Sequence, residues 1–258
     1  MNDGRLMKRV RLIGVAAAML VAPAATAQSV QPDDHVRQIV ARSEVKHLRS
    51  RQNLLKILST QPQFWPELLA VAERLQTQPA WLLNVMATES LFEASARNAL
   101  PGQSASGLLQ WIESTARRMG TTTAAIRRMD PVNQLGLVEK YLAPFSGRLN
   151  SMADVYMAVL RGFIIDGKDE TVISPLDDTR KEQRIYRLNK WLDLNNDRKI
   201  TRGELALMAT LIGRFQPQDS TSPSSGGDLG PPLPISSAPP GRKPVTRSIY
   251  IRSAKPTD

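Results

Sequence analysis

From residue 36 onward, apolar positions recur at three- and four-residue intervals: Val36, Ile39 and Val40, then Leu48, Leu54, Leu55 and Leu58. That spacing predicts one or two amphipathic helices over 36–59. Residues 65–76 repeat the pattern, with Pro66 tolerated in the first helical turn. Pro79 opens a further helix through Ser90, in which Trp81, Leu82, Leu83, Val85, Met86 and Ala87 crowd together. Apolar on most sides, it is expected to be the buried helix at the domain centre.

Residues 98–106 read as loop, and 107–120 as a helix closing at Gly120. Thr122 or Thr123 caps a short piece ending near Met129. Asp130 followed by Pro131 supplies an N-cap and a first helical residue for a helix through Leu135, Val138 and Leu142, stopping near Pro144. Ser151 with Asp154 three residues on predicts a capped helix over 152–161. Residues 162–178 are turn-rich with room for a short hairpin, 179–192 are helical, 193–204 are a polar interruption, and 204–215 are helical again. From residue 216 Pro, Ser and Gly dominate, so 216–258 reads as a disordered tail, made basic by Arg242, Lys243, Arg247, Arg252 and Lys255. Neither strand–helix alternation nor a Gly-rich phosphate loop is present, so the fold class is mainly α.

The N-terminus changes the setting. Arg5, Lys8, Arg9 and Arg11 precede an apolar run from Leu12 to about Pro23, and Ala25–Ala27 offer small residues. This predicts a secretory signal peptide, residues 1–27, cut after Ala27. The run falls short of the roughly 18 residues that argue for a membrane span. The expected location is the periplasm or outside the cell, with a domain over 28–215 and the tail beyond it. Net charge is +10, of which the leader carries +3, leaving about +7 on the mature chain. An exported basic protein points to anionic wall polymer or a membrane surface and away from nucleic acid. There is no cysteine and there are two histidines, His35 and His47. Thiol catalysis, a zinc site and a Ser-His-Asp triad are thereby disfavoured. Nothing in the pattern asks for more than a monomer.

Glu89 stands out on the apolar helix. At 3.6 residues per turn it shares a side with Leu82 and Met86. A carboxyl desolvated by such neighbours has a raised pKa, as a general acid near neutral pH requires. Periodicity alone leaves open a solvated Glu in the last helical turn.

Residues 89–98, ESLFEASARN, resemble the first motif of the soluble lytic transglycosylase domain, a branch of the goose-type lysozyme superfamily. Glu89, Ser90, Phe92, Ala96 and Asn98 fill it. The following SASGLLQ, with Ser104, Ala105, Gly107, Leu108 and Gln110, is similar to the family's second motif, and Thr115-Ala116 follow at its distance. The resemblance implies a lysozyme-like helical domain that cuts peptidoglycan glycan strands between N-acetylmuramic acid and N-acetylglucosamine. It makes Glu89 the single general acid and base, with no catalytic cofactor. It implies substrate-side roles for Ser90, Asn98, Gly107 and Gln110. The family's A-Y-N triplet is absent; DVYMAVLRG, residues 154–162, resembles a variant in which Tyr156 takes the tyrosine's part and Asp154 caps the helix.

Residues 193–204, DLNNDRKITRGE, resemble an EF-hand loop appended as a helix-loop-helix. The resemblance places Asp193, Asn195, Asp197, Lys199 (through its carbonyl), Thr201 and Glu204 as ligands of a structural Ca²⁺. The departure is Arg198, where Gly normally makes the sharp turn.

The leading expectation is a lytic transglycosylase giving 1,6-anhydro ends. A hydrolytic muramidase of the same fold and a non-catalytic wall-binding protein stay open. Wall turnover, or clearing a path for a secretion or flagellar apparatus, stays open as the process served.

Overall fold

The computed structural model describes residues 34–98 and 104–217. The expected leader, and the expected tail from residue 218, lie outside the described residues. The described chain is mainly α, as its periodicity predicts.

Residues 34–60 form one continuous helix, α1 (Asp34–Thr60), followed by α2 (Phe64–Arg74) and α3 (Pro79–Ser90). Ten of the twelve α3 residues are buried, which makes α3 the centre of the domain. After it come α4 (Glu113–Arg118), α5 (Thr123–Ile126), α6 (Pro131–Leu142) and α7 (Met152–Arg161). The capping signals set their starts: Thr122, Asp130 and Ser151 each accept a backbone N–H from three residues on. Strand β1 (Val172–Ser174), α8 (Arg180–Asn189), a 3₁₀ turn at Lys190–Leu192, β2 (Ile200–Thr201) and α9 (Arg202–Gly213) complete the order.

Two local expectations fail. Residues 107–120 are not one helix: 107–110 form a turn, and the helix runs only over α4. Gly107 and Gln110 both hold positive φ, +82° and +50°, which a helix cannot accommodate. Nor do residues 162–178 make a hairpin of their own. β1 pairs antiparallel with the distant β2, Val172 opposite Thr201 and Ser174 opposite Ile200. The pairing buries Ile173 and Ile200.

α9 packs along α3 closely enough that a Cβ on Gly213 would overlap the Asn84 side chain. Asn84 fixes that contact with two hydrogen bonds: its Nδ2 donates to the Phe215 carbonyl and its Oδ1 accepts from the Phe215 N–H, each at 3.0 Å. α1 is pinned to the same unit through Leu54 and Ile57. His47 Nδ1 sits 3.0 Å from the Ile212 carbonyl, and Asn53 Nδ2 donates to the Leu91 carbonyl at 2.8 Å. Two buried ion pairs tie the C-terminal elements to α7: Arg161 with Glu182 and Arg202 with Asp154, both at 2.8 Å.

Candidate active site

Glu89 lies in the last turn of α3. The helix stops because Leu91 and Phe92 both take left-handed backbone, φ +55° and +59°. The Leu91 N–H closes the last turn on the Ala87 carbonyl at 3.1 Å. The sharp exit turns the chain away while Glu89 stays inside the domain, 6% exposed.

Tyr156 of α7 lies against the Glu89 carboxyl and is fully buried. The phenol and carboxyl stand outside the geometry of a regular hydrogen bond. Among the described residues, neither Glu89 oxygen nor the Tyr156 hydroxyl has such a partner. Burial pushes Glu89 up from 4.5 to about 8; the Tyr156 hydroxyl and the Lys46 charge pull the other way without winning. Burial, and then the neighbouring Glu89 charge, hold Tyr156 well above the usual phenol value.

Lys46, on α1, brings a positive charge to Glu89. Its ammonium lies 4.6 Å from the centre of the Trp191 ring. Burial lowers its pKa, partly offset by Glu89, while Arg42 adds to the lowering. Tyr141 of α6 also feels Glu89, and burial is the main reason its hydroxyl is pushed up to about 12. The carboxyl is therefore faced by groups from α1, α6 and α7. Sequence reading found Glu89 and Tyr156. Lys46 and Tyr141 carried no local signal, since only the packing of distant helices brings them in.

The second motif is folded as a tight turn. Ser106 and Trp111 exchange backbone hydrogen bonds at 3.0 and 2.9 Å, and the Gly107 N–H donates to the Ala96 carbonyl at 3.0 Å. Gly107 has no room for a side chain: a Cβ would meet Ile126 and Gln134. Gln110 is buried, and its Nε2 donates to the Gly107 carbonyl at 2.9 Å. The Ser90 hydroxyl donates to the Met86 carbonyl at 3.1 Å, and the Asn98 N–H donates to the Ala105 carbonyl at 2.9 Å. Gly107, Gln110 and Asn98 brace the turn beside α3, while the Ser90 bond stays within the helix. Gln134, which sequence reading passed over, is the hub of that brace. Its Oε1 accepts from Leu108 N–H at 2.8 Å, and its Nε2 donates to the Ala94 and Ile126 carbonyls at 2.7 and 2.9 Å. Glu93 is exposed, 3.5 Å from Arg49. Glu113 caps Thr123, and those hydrogen bonds hold its carboxyl below the usual value. Neither stands as a second acid.

A surface depression of about 340 Å³ is lined by Glu73, Gln76, Gln78, Trp81 and Asn150, among others. Trp81 is eight residues from Glu89, roughly 12 Å along α3, so this depression is not where the carboxyl sits.

In residues 193–204 the side chains turn onto the loop itself. Asp193 accepts from the Asp197 and Arg198 N–H groups at 3.2 and 3.0 Å, and from the Tyr186 hydroxyl at 2.6 Å. Asn195 accepts from the Asp197 N–H at 3.0 Å, and Asp197 from the Lys199 N–H at 2.8 Å. Glu204 accepts from Leu194 and Thr201 and forms a capping box with Thr201 at the start of α9. Arg198 holds left-handed backbone, φ +68°. Among the described residues, no three His, Asp or Glu side chains gather as a metal cluster.

Residues 68–166 match the family model described as a transglycosylase SLT domain. The match runs from within α2 to just past α7 and includes Glu89, the turn at 104–111 and Tyr156. α1, α8 and α9 lie outside it. The match over residues 68–166 is consistent with the lytic transglycosylase superfamily. That domain supports a glycosidase or lyase type of activity on peptidoglycan. No curated protein and no solved structure matches the chain.

Proposed function

We propose that the protein is a peptidoglycan lytic transglycosylase in which Glu89 alone serves as general acid and then as base. The observation that carries the reading is one carboxyl, enclosed at the end of α3 in an SLT domain and raised to about 8 by burial. At neutral pH such a group holds its proton and delivers it to the glycosidic oxygen as the bond to the muramoyl C1 breaks. The carboxylate left behind is met by the Lys46 charge and the Tyr156 hydroxyl. It takes the proton of the muramoyl C6 hydroxyl as that oxygen closes on C1, which restores the acid and leaves a 1,6-anhydro end. An intramolecular nucleophile removes the need for a second carboxylate. Asp154, two residues from Tyr156, is ion-paired to Arg202 and is no free base for water.

Product masses from digested sacculi test this. Anhydro-muropeptides are expected; hydrated reducing ends alone would mean a muramidase, and no release at all a wall-binding protein. Lys46→Met gives a second check. Its positive charge favours the Glu89 carboxylate, so its loss raises the Glu89 pKa further. The alkaline limb of the pH–activity profile then moves to higher pH, while Lys46→Arg keeps the limb in place. A limb indifferent to Met would mean that the charge does not reach Glu89.

Export through a leader over 1–27 belongs to the same proposal, and N-terminal sequencing of the mature protein checks it. So does the tail as a recruiter of a wall-spanning machine: deleting 217–258 should change location and spare activity on isolated sacculi. We also propose that residues 193–204 take a structural Ca²⁺. The support is donor chemistry: oxygens of Asp193, Asn195, Asp197, Thr201 and Glu204 with the Lys199 carbonyl, the hard set that Ca²⁺ prefers. The ion would brace α8 against α9 and enter no chemical step. Calcium titration should give binding heat and a higher unfolding temperature, both lost in Asp193→Ala; a flat titration would rule the site out.

A further inference from the structure

We propose that the outward face of α1 docks on an anionic lipid bilayer. The inner face of this helix is spent on the domain, through Leu54, Ile57, His47 and Asn53. The outer face is not. Ala41, Leu48 and Leu55 recur every seven residues, with Val45 beside them, and all four are exposed. Val45 is 68% exposed and Leu48 and Leu55 are 56% exposed each, high for side chains of this size. The stripe runs roughly 21 Å along the helix.

Charge decides what covers it. Arg42, Arg49 and Lys56 follow the stripe residues one place on and repeat with the same seven-residue period, so they line one edge; all three are exposed. Arg51 stands on the other edge, half-exposed. The acid on this helix nearest the stripe, Glu44, is paired with Arg214. α1 holds six Lys and Arg residues against two acids. A partner helix would have to bring acidic residues along both edges at this spacing. An anionic bilayer presents negative charge everywhere around an inserted apolar ridge. Arg and Lys stems reach headgroups while Val45, Leu48 and Leu55 enter the acyl boundary. Among the described residues no helix is long and apolar enough to cross a membrane, so the contact would lie in the plane of the surface. It would hold an enzyme acting on wall polymer beside the bilayer, but it does not depend on that activity.

The test is cosedimentation of the full chain with vesicles of phosphatidylglycerol and phosphatidylcholine, against phosphatidylcholine alone. Binding to the anionic vesicles is expected, weakening as salt rises. Arg42→Gln with Lys56→Gln should weaken it about thirtyfold. Leu48→Gln with Leu55→Gln should weaken it at least about tenfold. Both pairs are on the surface, so the circular dichroism of the folded chain should not change. Three results would overturn the proposal: no binding to anionic vesicles, equal binding by both variants (which would move the contact elsewhere on the chain), or a dimer in solution that Leu48→Gln with Leu55→Gln dissolves.

Discussion

Glu89→Gln lowers muropeptide release from purified sacculi by about 10³-fold and, near pH 8, makes the protein more stable than the wild type. The first effect follows from the proposed role of Glu89 as the general acid. The second follows from linkage. The carboxyl ionises at 4.5 in the ordinary range and at about 8 inside the fold. Between those values the native chain holds a proton that the unfolded chain has released, so stability falls as pH rises through this window. The contribution is intact below pH 4.5 and gone once pH passes about 8; the full traverse is on the order of 5 kcal/mol. Gln has nothing to ionise, so the variant lacks this fall across the window. Urea denaturation at acid pH and near pH 8 reads the difference. Equal slopes for both proteins would mean that Glu89 is solvated and already ionised at neutrality. A variant that released muropeptides as fast as the wild type would move the chemistry elsewhere. The pairing of lost activity with gained stability is the mark of a group kept in an unfavourable place for its work.

The residues that made Glu89 legible are local. An apolar helix carries it, and the capping signals at Asp130 and Ser151 place the starts of their helices to the residue. Residues 107–111 read as helix because Leu108, Leu109 and Gln110 are good helix formers. Nothing local announces that Gly107 and Gln110 turn left-handed to let Gln134 bind the Leu108 N–H. The pairing of β1 with β2 was hidden for another reason: strands of three and two residues give too few positions for a period of two. Lys46 and Tyr141 could not be found from the chain, since each meets Glu89 only after α1 and α6 have packed. Arg202 shows the same limit. Within residues 193–204 it sits among the polar residues of a loop pattern, yet its side chain serves α7.

Arg202→Met destabilises the fold by about 3–5 kcal/mol. The guanidinium is buried between three acceptors: Asp154 Oδ1 at 2.8 Å, the Ile165 carbonyl at 2.6 Å and the Ser151 hydroxyl oxygen at 3.3 Å. Met fills the volume and supplies no donor. Asp154 is then left as a buried carboxylate supported only by Ser151, whose hydroxyl donates at 2.8 Å, and the Ile165 carbonyl loses its contact as well. Most of the loss comes from that stranded charge, because the pair in place only roughly offsets its own desolvation. The double variant Asp154→Leu with Arg202→Met should therefore recover much of the stability that Arg202→Met loses. Chemical denaturation of the two single variants and the double gives the coupling directly. A coupling near zero would mean that water already screens the pair. Arg202 opens α9, outside the SLT match, whereas Asp154 and Tyr156 share the first turns of α7 inside it. Weakening this tie should thus also loosen Tyr156 against Glu89, and activity should fall further than the loss of folded protein alone explains. Proportional losses of activity and folded fraction would confine the pair to a structural role.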